Sequence, residues 1–272
     1  MGFFILLHQR KIKKITMQKL QLRITQILFI SLFITAMSCT ETDEPTPNAD
    51  VSINLVSKGS LGEVLSDAEG MSLYFFTKDV SGESACTNGC LTAWPVFYMQ
   101  DIAVGTGLNA SEFGNITRAD GTKQTTYKGW PLYYFASDAA DSDVNGDGVG
   151  SVWFAAKTNY SLFIGQQEVA DTATNYLIDA DGNTLYYFAN DEQDISNCAG
   201  GCADAWPVFE GEAEMVLPSA FTASQFGKID RADGNVQVTY AGRPLYFFAQ
   251  DTERGETNGK DIPNWGLATV QL

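Results

Sequence analysis

Beyond residue 50 no long segment of the chain carries apolar residues at a helical period. Apolar and aromatic residues instead fall in short runs such as Val51–Ser57, Thr125–Tyr127, Leu132–Phe135, Val152–Ala155, Tyr160–Ile164 and Val236–Tyr240. Short runs rich in β-branched and aromatic side chains predict strands. Asp120-Gly121, Asp181-Gly182 and Asp233-Gly234 punctuate them as turns, because glycine accepts positive φ without a side-chain clash. In Leu73-Tyr74-Phe75-Phe76 the two-residue strand period puts Tyr74 and Phe76 on one face and Leu73 and Phe75 on the other. Both faces are apolar, so such a strand needs burial on both sides. The fold class expected is all-β.

The pattern repeats. Leu65 to Asp79 matches Leu177 to Asp191 at eight of 15 positions with an offset of 112, and Ser111 to Asp138 matches Ser224 to Asp251 at 18 of 28 with an offset of 113. The halves, residues 51–158 and 159–272, are therefore duplicates. Each half contains a weaker doubling, with the ending Leu-Tyr-x-Phe-x-x-Asp present four times: Tyr74, Phe76 and Asp79; Tyr133, Phe135 and Asp138; Tyr186, Phe188 and Asp191; Tyr246, Phe248 and Asp251. With these four copies the chain resembles the bacterial lipoproteins called secreted repeats of unknown function, which share a Tyr-x-(Phe/Trp/Tyr)-x-x-Asp motif. The resemblance implies a secreted or anchored repeat protein and brings no catalytic residues with it. Four units of about 55 residues suit a propeller-like ring in which each blade packs between neighbours. The alternative is two tandem sandwich-like or barrel-like domains, one per half. Trp130-Pro131 departs from its copy, Arg243-Pro244, so the unit is not expected to depend on that tryptophan.

The first 38 residues have a different character. Lys11, Lys13, Lys14, Lys19 and Arg23 precede an apolar run from Ile24 to Met37, which is too short for a permanent span and reads as an export signal. Ala36-Met37-Ser38-Cys39 resembles a lipoprotein cleavage site, which makes Cys39 the lipidated first residue of the mature chain. Residues 40–50, acidic and proline-containing, read as a polar tether. The expected location is the outer membrane or cell surface, with lipid as the only membrane contact.

Removing residues 1–38 leaves 11 Lys+Arg against 33 Asp+Glu, a formal charge of −22. Nucleic acid is thereby an implausible partner. The single histidine, His8, leaves with the signal. The mature chain then has no imidazole for a Ser-His-Asp or Cys-His centre or for histidine-ligated metals and haem.

Candidate chemistry is confined to a few groups. Cys86 and Cys90, like Cys198 and Cys202, are separated by three residues and followed by Trp-Pro-Val-Phe. In an oxidising compartment a local disulfide is the favoured reading. Cross-pairing between halves, a four-thiolate metal site and a redox pair are the alternatives. Asp143, Asn145 and Asp147, followed by Gly148, follow the spacing of a calcium loop, but Phe154 stands where a bidentate glutamate belongs, so a solvated turn is preferred over calcium as a cofactor. The motif aspartates read as turn caps or partners of Arg118 and Arg231, with a shared acidic site as the alternative. Trp94, Trp153, Trp206 and Trp265 read as core rather than as a sugar platform. The function expected is a non-enzymatic binding or scaffold module with an envelope-protein or glycan partner, and the alternative is an extracytoplasmic redox or electron-transfer accessory.

Overall fold

In the computed structural model, which describes residues 52–212 and 214–270, strands form at the Tyr74 and Tyr186 motifs and around the Asp-Gly turns, and the Tyr133 and Tyr246 motifs make single bridges. The hairpin β1 (Ile53–Ser57) and β2 (Glu63–Asp67) is followed by β3 (Tyr74–Phe76) and by the antiparallel meander β4 (Phe113–Thr117), β5 (Lys123–Tyr127) and β6 (Trp130–Pro131). The first half closes with β7 (Trp153–Ala155), which returns to pair with β3. The second half repeats the sequence of elements: hairpin β8 (Leu162–Val169) and β9 (Thr172–Asp179), motif strand β10 (Tyr186–Phe188), meander β11 (Phe226–Asp230), β12 (Val236–Tyr240) and β13 (Arg243–Pro244), and β14 (Trp265–Leu267) back on β10. Gly121 and Gly234, at the tips of the β4–β5 and β11–β12 hairpins, have φ of 83° and 90°, the left-handed region that only glycine enters at little cost. Among the described residues helix is limited to 3₁₀ turns and two short α-helical turns, α1 (Cys90–Ala93) and α2 (Gly201–Ala205).

Among the described residues the sheets have two or three strands, and neither a closed barrel nor a propeller forms. The ring expected from four units is not seen among these sheets. The motif strands are three residues long, and each tyrosine is paired through single bridges to the other unit of its half, in the row Val96, Tyr133, Tyr74, Ala155 and again in the row Val208, Tyr246, Tyr186, Leu267. The two units of each half are thus joined through their motif tyrosines.

Alternation assigns the core as expected. Leu73, Tyr74, Phe75 and Phe76 are all buried. Tyr74 and Phe76 enter a cluster with Cys86, Trp94 and Trp153, whereas Leu73 and Phe75 enter the main core. That main core runs through both halves, joining Phe75, Trp130 and Leu132 to Phe163, Leu177 and Leu245, so the halves are not two domains with separate interiors. The proposed signal (1–38), Cys39 and the tether (40–50) lie outside the described residues.

Candidate functional site

The four motif copies meet in pairs. The Tyr74 hydroxyl donates to Asp138 Oδ2 (2.5 Å), and the Tyr133 hydroxyl donates to Asp79 Oδ2 (2.6 Å). In the second half the Tyr186 hydroxyl donates to Asp251 Oδ2 (2.5 Å) and the Tyr246 hydroxyl to Asp191 Oδ2 (2.7 Å). Each motif thus gives its tyrosine to the aspartate of its neighbour and receives the neighbour's tyrosine in return. The two tyrosine backbones also exchange N–H···O bonds, at 2.9 and 3.2 Å between Tyr74 and Tyr133 and at 2.8 and 3.0 Å between Tyr186 and Tyr246. The other carboxylate oxygen of each aspartate caps the loop that follows, accepting from the N–H of Ala85 (2.7 Å), Asn145 (2.9 Å), Asn197 (2.6 Å) and Asn258 (3.0 Å). Hydrogen bonds to a carboxylate are in general worth about 1.5–3 kcal/mol each.

Asp79 is the most enclosed of the four and is fully buried. Burial pushes its carboxyl up to about 7, against the Tyr133 hydroxyl, the Ala85 N–H and the charges of Arg118 and Arg254, which favour the ionised form. Burial also raises Asp191, opposed by Asn197, Tyr246 and Arg231. The arginines do not bond the motif aspartates directly. Arg118 donates to Ser84 Oγ, to Gln124 Oε1 (2.6 Å) and to the Cys86 carbonyl (2.6 Å), and its charged partner is Asp120 at 3.5 Å. Arg231 repeats this with Ser196, Gln237 (2.8 Å), the Cys198 carbonyl (2.7 Å) and Asp233 (2.9 Å). Ser84 and Ser196 in turn meet the Tyr133 and Tyr246 hydroxyls at 2.5 and 2.7 Å. A chain of bonds therefore runs from arginine through serine and tyrosine to aspartate in each half, and it ends on a turn cap rather than in an open cleft.

Rings close the cluster. In the first half Phe76, Trp153, Trp94 and Phe135 form a column with centroid spacings of 4.0, 3.8 and 4.3 Å. The second half stacks Phe188, Trp265, Trp206 and Phe248 at 4.5, 3.7 and 4.3 Å. Gly146 and Gly259 lie so close beneath this layer that a Cβ there would approach the Tyr74 and Tyr186 rings at 2.7 and 2.9 Å. Sequence reading placed these tryptophans in the core but missed that they belong to the repeat. The signal was present: Trp94, Trp153 and Trp206 follow their motif aspartate by 15 positions and Trp265 by 14.

The cysteines pair locally, Cys86 with Cys90 (Cα–Cα 5.4 Å) and Cys198 with Cys202 (5.3 Å), each bond tying a loop to the start of a helical turn. The aspartates of the calcium pattern accept from backbone N–H groups in and beside the loop. Asp143 Oδ2 accepts from the N–H groups of Ala139 (2.8 Å) and Ala140 (3.0 Å), and Asp147 Oδ1 accepts from that of Ala155 (2.9 Å), while the Asn145 N–H goes to Asp138. Among the described residues no three His, Cys, Asp or Glu side chains gather as metal ligands.

A family model described as a secreted repeat of unknown function matches residues 55–98, 114–157, 174–210 and 227–268. The chain belongs to that family. Each matched segment holds one Tyr-x-Phe-x-x-Asp copy, so the family repeat is the unit that exchanges tyrosine and aspartate with its neighbour. No match was found among curated proteins or among solved structures. No helix among the described residues is long and apolar enough to cross a membrane.

Concave surface is found on the second half of this secreted repeat. A cavity of about 300 Å³ is lined by Tyr187, Tyr240, Arg243 and Leu245, and another of about 290 Å³ by Ser196, Ile229, Arg231 and Asp233. The face of the first half equivalent to the former retains about 10 Å³.

Proposed function

We propose that the chain is a non-enzymatic scaffold or binding module of the cell surface, held by lipid on Cys39 and extended on the tether of residues 40–50. The observation that carries this reading is the reciprocal Tyr–Asp exchange: all four motif aspartates are engaged by a tyrosine and a backbone N–H, so none is presented as a free acid or base. The redox alternative asks for sulfurs open to a partner; Cys86 and Cys198 are buried, and only the half-buried Cys90 and Cys202 reach towards the surface. Clefts of about 300 Å³ are at the low end of ligand pockets, which suits a glycan unit or a protein side chain. The test is a binding screen of the full chain against envelope glycans and envelope proteins, run beside assays for hydrolysis. Saturable binding without turnover is the expected result. Turnover abolished by a single carboxylate substitution would overturn the reading.

A further inference from the structure

The halves are joined through a face that exists twice. On the first half this face carries Phe75, Tyr127 and Trp130, and it is covered by Tyr160 and Phe163 of the second half. On the second half the same positions are Tyr187, Tyr240 and Arg243, and the face is open. Arg254 completes the joint within the chain. Its guanidinium lies 4.7 Å from the centroid of the Trp130 ring and donates to the carbonyls of Val80 (2.9 Å) and Lys128 (2.6 Å).

The first-half counterpart of Arg254 is Asp141, at the offset of 113. Structure supports the correspondence. A Cβ at Gly70 would lie 3.2 Å from Asp141 Cβ, and one at Gly182 would lie 3.1 Å from Arg254 Cβ. Two residues further on, Ser72 Oγ donates to the Asp143 carbonyl and Thr184 Oγ1 to that of Glu256, both at 2.6 Å. Two positions that differ in chemistry between the duplicates are thus partners in one joint: Trp130 with Arg254 inside the chain, and Arg243 with Asp141 if the joint were repeated between chains. Among the described residues the Arg243 side chain donates no hydrogen bond and makes no ion pair, resting only on the Tyr187 ring at 4.5 Å, and Asp141 is exposed with its carboxylate unengaged, Lys58 donating to its backbone carbonyl.

We propose that the open face of the second half seats the first half of a second copy of this chain, docked as the second half docks on the first, with Asp141 of one copy beside Arg243 of the other. The joint is head-to-tail, so it propagates into rings or filaments rather than closing as a two-fold dimer. It is more polar than the internal joint, because Phe163 corresponds to Asn54: β1 and β8 meet their hairpin partners at Ile53↔Asp67 and Leu162↔Asp179. Copies that carry a formal charge of −16 over the whole sequence, or −22 without residues 1–38, also repel, so association is weak and appears once salt shortens the screening length to about 8 Å, as at physiological ionic strength.

Sedimentation velocity of the purified full chain across a wide concentration range tests this. The mean sedimentation coefficient is expected to rise with concentration. Arg243→Glu and Asp141→Arg should each weaken association by about tenfold, as for a truncated interfacial charge pair, and the double variant should restore it. Both residues are exposed, so thermal midpoints of the single variants should match the wild type, which separates lost association from lost folding. A strict monomer at every concentration, or association indifferent to the charge swap, overturns the proposal. A monomer that still bound a glycan or an envelope protein would do so while leaving the scaffold reading in place.

Discussion

Trp130 and Arg243 stand at the same place on the two halves, yet one is buried beneath the neighbouring half and the other is exposed over an open cavity. Around them Phe75 faces Tyr187 in the alignment, and Phe154 faces Gly266, with the Tyr187 ring folded back so far that a Cβ at Gly266 would meet it at 2.9 Å. Inside the halves the motif network has been kept: the tyrosines, aspartates, stacked tryptophans, Arg118 with Arg231 and Gln124 with Gln237 all keep their partners, although buried Val64 gives way to buried Tyr176. The difference separates two demands on a duplicated unit. Each half must form the same interior to fold, so the latch is copied. Each outer face meets a different neighbour, so the faces need not match.

The strongest way to break this comparison is to remove the two side chains that occupy the same position. Trp130→Ala deletes a buried ring and the seat of Arg254, and is expected to lower unfolding stability by about 3–5 kcal/mol. Arg243→Ala should stay within about 0.5 kcal/mol, as for most exposed substitutions. Urea denaturation of both variants measures the contrast. Equal losses would mean that the halves are not joined through Trp130.

A second contrast lies in the motif aspartates, because the joint encloses Asp79 more fully than Asp191. Asp79 has its carboxyl raised to about 7 in the folded chain, above the ordinary value of about 3.9 expected when unfolded. The folded state therefore holds the proton more tightly. Its contribution to stability is complete below about pH 4 and is lost as pH rises towards 7. Asp79→Asn mimics the protonated form: its carbonyl can accept from Ala85, and its amide can donate to the Tyr133 hydroxyl, which then donates to Ser84. The variant should match the wild type near pH 4 and exceed it by about 2–3 kcal/mol at pH 8, since each tenfold difference in proton affinity is worth about 1.4 kcal/mol and the surroundings partly relax around the ionised group. Asp191→Asn should show the same sign with smaller amplitude. Thermal melts of the three proteins from pH 4 to 8 check it, and a wild type that gained on Asp79→Asn with rising pH would refute the assignment.

Much of this arrangement was legible in the residues. The duplication, the buried motif strands, the turn glycines and the local disulfides follow from short-range pattern, and local pattern is what a sequence records directly. The crossing of units was not legible. Nothing in Leu-Tyr-x-Phe-x-x-Asp says that Tyr74 bonds Asp138, 64 residues away, rather than the Asp79 of its own motif. The ring was inferred from motif strands apolar on both faces and from the count of four units, and neither carries information about which unit supplies the neighbouring strand. Arg118 and Arg231 were expected near the aspartates, but the structure inserts a serine and a tyrosine between them, a pairing that depends on tertiary approach.

The smallest expected effect concerns the loop of Asp143, Asn145 and Asp147, and it again comes from comparing the halves. In the second half Glu256 stands for Asp143, and its Oε2 accepts from the N–H groups of Thr252 (2.6 Å) and Glu253 (3.0 Å), just as Asp143 holds Ala139 and Ala140. Lys260 stands where Asp147 would supply a third ligand, and the loop still reaches its glycine contact, Gly259 donating to the Tyr186 hydroxyl as Gly146 donates to that of Tyr74, both at 3.3 Å. A loop that takes the same course with a cation of its own in place of a ligand needs no bound ion to form. Calcium at millimolar concentration is therefore expected to leave the thermal midpoint unchanged, whereas a ligand at about 100 times its Kd would add about 2.7 kcal/mol. Melts with calcium and with chelator decide the matter, and a calcium-dependent rise lost in Asp147→Lys would show that the first loop has acquired a metal site that its copy lacks.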